Sequence, residues 1–437
     1  MPTPLDLNSG SELEFREDGT LVRRSILPGG VRLLTEDMPG TRSLTIGAWV
    51  PVGSRDETDG HFGSTHFLEH LLFKGTTSRS ALDIAQAFDR AGGEHNALTS
   101  KEYTCYYGKV LDADLPMAAE IILDMITSAT LDVDEFELER GVILEELARS
   151  EDNPARVAHE KIAAAVYGDH ELGRPVGGTS QTITDVPRDA VWEHYQQHYR
   201  PDTLVITAAG RVNHEELRAM VLAGLGAGGW DLTPGASAAA RRTTTEALVP
   251  PLGTELTVYR ATEQANVIVG MPGISGPDKR RYAMAVLNSV LGGGMSSRLF
   301  QEIREKRGLA YSTYSYSSTH TDAGLFALYA GCSPARVDEV TELMVAEFEK
   351  VAHDGITADE LDQARGQLRG GTVLGLEGSS SRMTRLGSAE ISLGELTGIN
   401  ESLDLVAEVS ADEVQQLAAE IASRPRSQVR VGPFTAA

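Results

Sequence analysis

The chain has 437 residues, more than one ordinary domain usually contains, so at least two hydrophobic cores are expected. Its 63 acidic and 39 basic residues give a formal net charge of −24, which disfavours nucleic-acid binding and favours cationic partners, although solubility alone also explains such a charge. Because no apolar run approaches the ~18 residues of a membrane span and the polar N-terminus lacks a signal-peptide core, we predict a cytoplasmic protein without a membrane partner.

The first half of the chain is predicted to mix strands and helices. Residues 1–20 are polar and are predicted to form a leader with little structure. Partial alternation of apolar residues predicts a strand over 43–52, and Gly92-Gly93 ends a helix predicted over 80–91. Further segments are predicted as one or two strands over 94–111, helices over 114–129, 134–150, 154–166, 186–199 and 214–225, and a strand over 203–209.

A small, polar stretch separates the two halves. Residues 231–252, which end at Pro250-Pro251, are the predicted linker. The second half then repeats the order of strands and helices seen in the first, which predicts a diverged duplication. The expected division is an N-terminal domain over 21–230 and a C-terminal domain over 253–437.

Histidines rather than cysteines carry the predicted metal chemistry. In the string His66-Phe67-Leu68-Glu69-His70, a helix would place both histidines and the glutamate on one face and apolar residues on the other. Two imidazoles one turn apart can bind one zinc ion, and the glutamate can reach a metal-bound water. A buried helix that happens to carry two histidines is the alternative. Cys105 and Cys332 lack CxxC spacing and are predicted to be buried thiols.

A third ligand is expected further along the chain, because a catalytic zinc commonly takes three protein ligands and a water. On a helix over 134–150, Glu146 borders the apolar stripe and shares a face with Glu139, two turns earlier, whereas Glu145 points away. The alternative is an amphipathic helix with solvated glutamates, and periodicity alone does not decide between the two.

Taken together, these residues resemble a known family. An HxxEH string followed by Glu146, 76 positions after His70 (from 70 to 146), resembles the pitrilysin/insulinase-type zinc metallopeptidases, the inverzincins. The similarity is greatest to the branch that contains mitochondrial processing peptidase and its bacterial relatives. Further matching segments within about residues 25–430 are 47–55, 70–76, 139–146, 292–304 and 308–312.

The resemblance implies a role for each matching position of the metal motif. His66, His70 and Glu146 would bind one zinc ion per chain. Glu69 would act as the general base. Glu139 would orient the site without binding the metal.

Other matching positions lie outside that motif. Arg304 and Tyr311 match a pair that contacts substrate and helps to stabilise the transition state, and both side chains can donate to an oxyanion or a peptide carbonyl. From the residues alone, the preferred interpretations are a surface ion pair for Arg304 and a strand residue packed on a core for Tyr311. Asn96 and Ala97 match an edge strand that pairs with extended peptide substrate.

The resemblance also implies an architecture and a function. The fold class is α+β, with two homologous domains, each a mainly antiparallel sheet covered by helices on one side. Single-chain relatives carry four such units and this chain carries two, so a homodimer is expected, with Arg304 and Tyr311 completing the partner's active site in trans. The expected function is a zinc endopeptidase that cleaves unfolded peptides or short protein segments inside a closed chamber. A non-catalytic assembly subunit of the same fold is the alternative, although such chains generally lack parts of the motifs retained here.

Overall fold

The computed structural model describes residues 2–243 and 253–434, which contain both strands and helices. The strands are β1 (Thr3–Pro4), β2 (Glu12–Glu17), β3 (Thr20–Ile26), β4 (Arg32–Asp37), β5 (Ser43–Val50), β6 (Glu94–Thr99), β7 (Thr104–Leu111), β8 (Val205–Gly210), β9 (Glu255–Tyr259), β10 (Ala265–Pro272), β11 (Ala310–Thr319), β12 (Gly324–Cys332), β13 (Glu395–Leu396) and β14 (Ser427–Gly432). The α-helices are α1 (Ser64–Leu71), α2 (Ala81–Ala91), α3 (Leu115–Ser128), α4 (Val133–Glu151), α5 (Pro154–Tyr167), α6 (Ser180–Asp185), α7 (Arg188–His198), α8 (His214–Ala227), α9 (Arg281–Gly292), α10 (Val337–Asp354), α11 (Ala358–Gly375), α12 (Ser379–Ser388), α13 (Ile399–Glu408) and α14 (Ala411–Ala422). Phe300–Glu305 and Ala389–Leu393 are π-helical.

The chain divides into two compact units, and neither is a continuous stretch. Unit 1 comprises Met1–Leu147, Pro175–Arg241 and Gly375–Gly398, and unit 2 comprises Ala148–Arg174, Arg242–Leu374 and Ile399–Ala437. The units therefore depart from the expected continuous domains 21–230 and 253–437 at two segments. Residues 148–174 belong to unit 2, and residues 375–398 belong to unit 1.

The two units repeat one sheet topology. Unit 1 contains a seven-stranded sheet in the order β2-β3-β4-β8-β5-β7-β6, and unit 2 contains a five-stranded sheet in the order β9-β14-β10-β12-β11. All neighbours are antiparallel except β4 with β8 and β9 with β14. Numbered along the sequence, the five strands from β4 and the five from β9, without the short β13, both follow the order 1-5-2-4-3. The predicted α+β class with two homologous, mainly antiparallel sheets is confirmed.

Each sheet is packed on both faces, so the expectation of helices on one side alone is wrong. In unit 1, α1, α3 and α8 cover one face and α12 covers the other. In unit 2, α9, α10 and α14 cover one face and α5 covers the other. The second face is in each case covered by a helix from the opposite half of the sequence, which explains why the units are not continuous.

Trp49 of β5 shows how α12 packs against the sheet of unit 1. Its side chain is fully buried, and its Nε1 donates to Thr207 Oγ1 at 2.7 Å. Gly387 of α12 lies so close that a Cβ there would come within 2.4 Å of the indole ring. On the same face, the buried carboxylate of Glu36 in β4 accepts a hydrogen bond from Arg385 of α12 at 3.1 Å. Helix α12 is therefore fitted to this sheet both by shape and by charge.

A buried ion cluster attaches the 375–398 segment to the rest of unit 1. Glu390 is fully buried and accepts from Arg24 Nε and Nη2 at 2.7 and 3.0 Å and from Arg241 Nη2 at 2.6 Å, with Arg32 Nη1 3.8 Å away. Burial lowers the pKa of Arg32 to about 10, although Glu390 opposes the shift. We call these four residues the Glu390 cluster.

The predicted polar leader is wrong for residues 12–17, which form β2. Asp18 and Gly19 both have positive φ, 48° and 79°, as a type I′ turn requires, and they join β2 to β3 as a hairpin. Leu13 and Phe15 pack towards the apolar cluster beneath α12, whereas Glu14 between them is exposed. The alternation of charged and apolar residues over 12–17 and the Asp18-Gly19 turn are both visible in the sequence. The many charged residues nevertheless led to the prediction of an unstructured leader.

Three further expectations concern the linker, the membrane and the cysteines. The described part of the predicted linker, residues 231–243, contains no helix or strand, and residues 244–252 lie outside the described residues. None of the helices in 2–243 and 253–434 is long and apolar enough to cross a membrane. Cys105 and Cys332 are free and buried, and burial raises the pKa of Cys332 to about 11.

Candidate metal centre

Helix α1 carries the HxxEH string and begins at a tightly fixed turn. Gly63 precedes the helix with a φ of 95°, a conformation that favours glycine. The buried carboxylate of Glu57 accepts hydrogen bonds from the backbone N–H groups of Gly63 and Thr65, both at 2.8 Å, and so satisfies free amides at the helix start. Phe67 and Leu68 are fully buried in the core of unit 1. The opposite face, with the histidines and the glutamate of the string, is thereby fixed in direction.

Helix α4 supplies the carboxylates. Phe136 and Ile143 of α4 are fully buried, and the Phe136 ring stacks on Phe67 of α1 with the ring centroids 4.6 Å apart. This contact holds the two helices side by side. Glu139 and Glu146, two turns apart on α4, consequently both face the histidines of α1.

The two histidines and Glu146 converge on one point. Glu146 Oε2 lies 3.5 Å from His66 Nε2 and 3.6 Å from His70 Nε2, and ligand atoms of the three residues all lie within 4.8 Å of one another. A tetrahedral zinc with ligand distances of about 2.0–2.2 Å keeps its ligand atoms roughly 3.3–3.6 Å apart. The donor set and its spacing therefore fit zinc. Among the residues that the structure describes, no other group of three such side chains has metal-binding spacing.

Both imidazole rings are held at the nitrogen that faces away from this point. His70 Nδ1 lies 2.9 Å from Glu139 Oε2, and the other oxygen of Glu139 lies 2.5 Å from Lys74 Nζ. His66 Nδ1 lies 3.3 Å from the backbone oxygen of Gly177. With the proton on Nδ1 donated to these acceptors, each Nε2 keeps its lone pair for a metal.

The charges around the centre favour a cation. Burial disfavours the imidazolium form of His66, but Glu146 and Glu69 outweigh that effect and raise the pKa of His66. Glu69 is half-buried on the same face of α1. Its carboxylate makes no hydrogen bond or ion pair with any residue in the described ranges, so it is available to accept a proton from a ligand.

The predicted substrate strand lies beside this helix. Strand β6 is an edge of the unit 1 sheet, is paired with β7 and contacts α1. Asn96 is exposed and Ala97 is buried. The Ala97 N–H donates to the side-chain oxygen of Asn96 at 2.8 Å, so one amide of the edge strand is already engaged.

Arg304 and Tyr311 lie together in unit 2. The Arg304 guanidinium lies over the Tyr311 ring at 4.8 Å and over the Phe300 ring at 4.6 Å, and its Nη1 donates to the Tyr311 backbone oxygen at 3.2 Å. The Tyr311 side chain is 76% exposed at the start of the edge strand β11. The pair is therefore preorganised and open to solvent.

Two histidines close to the string in sequence have other contacts. His61 Nδ1 lies 3.1 Å from the backbone oxygen of Ala190, and His95 stacks on Phe88 with the centroids 4.4 Å apart. Neither belongs to the metal-binding group, and the sequence pattern predicted no role for either.

Sequence reasoning missed three residues that support the centre: Glu57, Lys74 and Gly177. Lys74 follows His70 by four residues, a spacing that places both on one side of a helical turn and could have identified it. Gly177 acts through its backbone oxygen, so no side-chain pattern points to it. Glu57 caps a helix from outside it, seven residues before Ser64, and lies beyond the usual capping position.

Comparison with known proteins defines the class of this chain. Residues 32–180 match the family model described as Insulinase (Peptidase family M16), and residues 185–368 match the model described as Peptidase M16 inactive domain. An uncharacterized zinc protease of Streptomyces coelicolor is 48% identical over 413 residues, which cover 94% of this chain and 90% of the relative. The uncharacterized zinc protease YmxG of Bacillus subtilis is 37% identical over 414 residues, 94% of this chain and 98% of the relative. The chain belongs to the insulinase family of peptidases, family M16.

Solved structures share the fold at lower sequence identity. A peptidase M16 inactive domain from Pseudomonas fluorescens superposes with a TM-score of 0.84 at 19% identity, covering 95% of this chain and 99% of that chain. A protease from Helicobacter pylori gives a TM-score of 0.84 at 22% identity, covering 94% and 99%. These likenesses agree with the two-unit architecture described above.

Proposed function

We propose that this chain is a zinc-dependent endopeptidase. The observation that carries the proposal is the convergence of His66, His70 and Glu146 at zinc-ligand spacing. Glu69 lies on the same helix face, and its carboxylate makes no hydrogen bond or ion pair with the residues that the structure describes. The relatives that are named zinc proteases support the same reading.

The roles of the residues follow from their positions. Zinc bound at this centre would polarise the scissile carbonyl and lower the pKa of a water molecule. Glu69 takes the proton of the attacking water and passes it to the leaving amine. Glu139 and Gly177 hold the rings of His70 and His66, so that each Nε2 stays directed at the centre. No side chain needs to form a covalent bond with the substrate.

Unfolded peptides are the proposed substrates. An extended peptide that adds to the edge strand β6 gains backbone hydrogen bonds whatever its sequence, with Asn96 and Ala97 at the point of contact. Arg304 and the hydroxyl of Tyr311 can donate to a peptide carbonyl or a developing oxyanion. Because Arg304 is already held between two aromatic rings, it loses little freedom when it binds.

The test of this function is metal content measured beside peptide cleavage. The purified protein is expected to contain about one zinc per chain and to cleave a quenched peptide library. Chelation should abolish cleavage, because it removes the metal that activates the attacking water. Added zinc should restore cleavage, because the three-ligand site leaves a position for that water. Zinc-free protein that cuts nothing after zinc is supplied would contradict the proposal and favour an assembly subunit of the same fold. Bound metal without peptide cleavage would point to another substrate.

We also propose a homodimer in which Arg304 and Tyr311 of one chain complete the zinc site of the other within a closed chamber. The support is the resemblance to single-chain relatives that carry four such units, since this chain carries two. Mixing Glu69→Gln with Tyr311→Phe, each inactive alone, is expected to restore up to about a quarter of the activity, since random exchange makes half of the dimers mixed and each mixed dimer has one intact site. Labelled chains are used to show that subunits exchange. If they exchange and activity still does not return, the shared active site is contradicted.

A further inference from the structure

We infer that Lys74 is a positioning residue of the metal centre, whose ammonium group fixes the Glu139 carboxylate that orients His70. Lys74 would thereby set how tightly the centre holds its metal. The inference rests on the proposed function. It concerns affinity for zinc rather than turnover.

The backbone at Lys74 is fixed on both sides. Lys74 ends the short 3₁₀ turn Leu72–Lys74 that directly follows α1. The next residue, Gly75, has a φ of 133°, which favours glycine, and its backbone oxygen accepts a hydrogen bond from the Thr130 N–H at 3.2 Å. The Lys74 side chain is 32% exposed, so most of its length is covered by protein. Its ammonium group therefore approaches Glu139 from a defined position.

Glu139 divides its two oxygens between two partners. Its side chain is 4% exposed, with Oε1 2.5 Å from Lys74 Nζ and Oε2 2.9 Å from His70 Nδ1. No other lysine or arginine within 2–243 and 253–434 pairs with this carboxylate. The adjacent Arg140 instead donates to the backbone oxygens of Thr184 and Val186. Burying a carboxylate without a neighbouring cation costs free energy. Loss of Lys74 would leave the Glu139 carboxylate with His70 as its one partner.

The two histidines differ in how they are held. The contact of His66 is a backbone oxygen, that of Gly177. His70 depends on a pair of side chains, Glu139 and behind it Lys74. Its Nε2 points to Glu146 Oε2, 3.6 Å away, as long as the opposite nitrogen is held. Removing Lys74 should therefore loosen His70 and leave His66 in place.

The experiment measures zinc affinity by competition with a chromophoric chelator. Partners that orient a metal-bound histidine typically contribute 10–100-fold to metal affinity, so Lys74→Met is expected to weaken zinc binding by about 10-fold. Lys109→Met removes an exposed lysine of the same unit and is expected to leave the affinity unchanged. Lys74→Arg should restore part of the loss, because it keeps the charge in a different geometry. Cobalt substituted for zinc should show a changed visible spectrum in Lys74→Met.

Coupling to Glu139 separates positioning from a general structural effect. In a Glu139→Gln background, Lys74→Met is expected to change zinc affinity by less than about twofold, since the carboxylate on which it acts is gone. If Lys74→Met leaves zinc affinity unchanged, or if its effect on zinc affinity adds fully to that of Glu139→Gln, this inference is overturned while the proposed function stands. Wild-type protein that binds no zinc would overturn the proposed function as well. If the methionine variant does not fold without metal, Lys74→Gln is measured in its place, with the same loss expected.

Discussion

Glu69→Gln is expected to lower kcat for peptide cleavage by about 10²–10⁴-fold, the usual contribution of a general base. Glutamine keeps the shape of the side chain but cannot take a proton from water. Zinc content should stay at about one per chain, because Glu69 is not in the metal-binding group. The two readouts are turnover of a quenched peptide under saturating substrate and metal analysis of the same preparation.

Two other glutamates serve as controls for this change. Glu145→Gln makes the same chemical substitution on the exposed face of α4 and should leave both cleavage and zinc content unaltered. Glu146→Gln should lose zinc and cleavage together, because it removes a charged ligand. Full activity in Glu69→Gln would mean that another group takes the proton. Loss of zinc from that variant would instead assign Glu69 to metal binding or to folding.

The local parts of the centre were predictable from the sequence because they depend on helical geometry. The spacing of His66, Glu69 and His70 places them on one face whatever surrounds the helix. Glu139 and Glu146 follow the same rule on α4. The face of the helix on which each of these side chains lies could therefore be predicted before any tertiary contact was known. The pairing of the two helices through Phe67 and Phe136 was not, since aromatic residues on a buried stripe do not identify their partners.

The organisation of the units could not be predicted in the same way. Amphipathic periodicity predicts that a helix buries one face, but it does not predict against which sheet that face packs. Helices α5 and α12 each pack on the unit formed mainly by the opposite half of the chain, so a division at the linker assigned both to the wrong unit. The ion pairs that attach α12 and the following π-helical turn to the rest of unit 1 also join residues far apart in sequence, such as Arg24 and Glu390.

The exchange of segments has a measurable consequence at the Glu390 cluster. Glu390→Gln is expected to lower the free energy of unfolding of unit 1 by about 3–5 kcal/mol, the range found when one partner of a buried ion pair is removed. The substitution keeps the side-chain volume but removes the carboxylate that the buried Arg24 and Arg32 share with the partly exposed Arg241. The Glu390 carboxylate itself is fully buried, so solvent does not replace the lost charge.

The measurement is urea-induced unfolding followed by tryptophan fluorescence. The chain contains three tryptophans, Trp49, Trp192 and Trp230, and all lie in unit 1, so the signal reports on this unit. Glu377→Gln, an exposed position of the same segment, is the matched control and should change stability by less than about 0.5 kcal/mol. Equal stability of the two variants would contradict the cluster's role. A selective loss in Glu390→Gln would mean that the metal-bearing unit depends for its stability on a residue 244 positions after its last metal ligand (from 146 to 390).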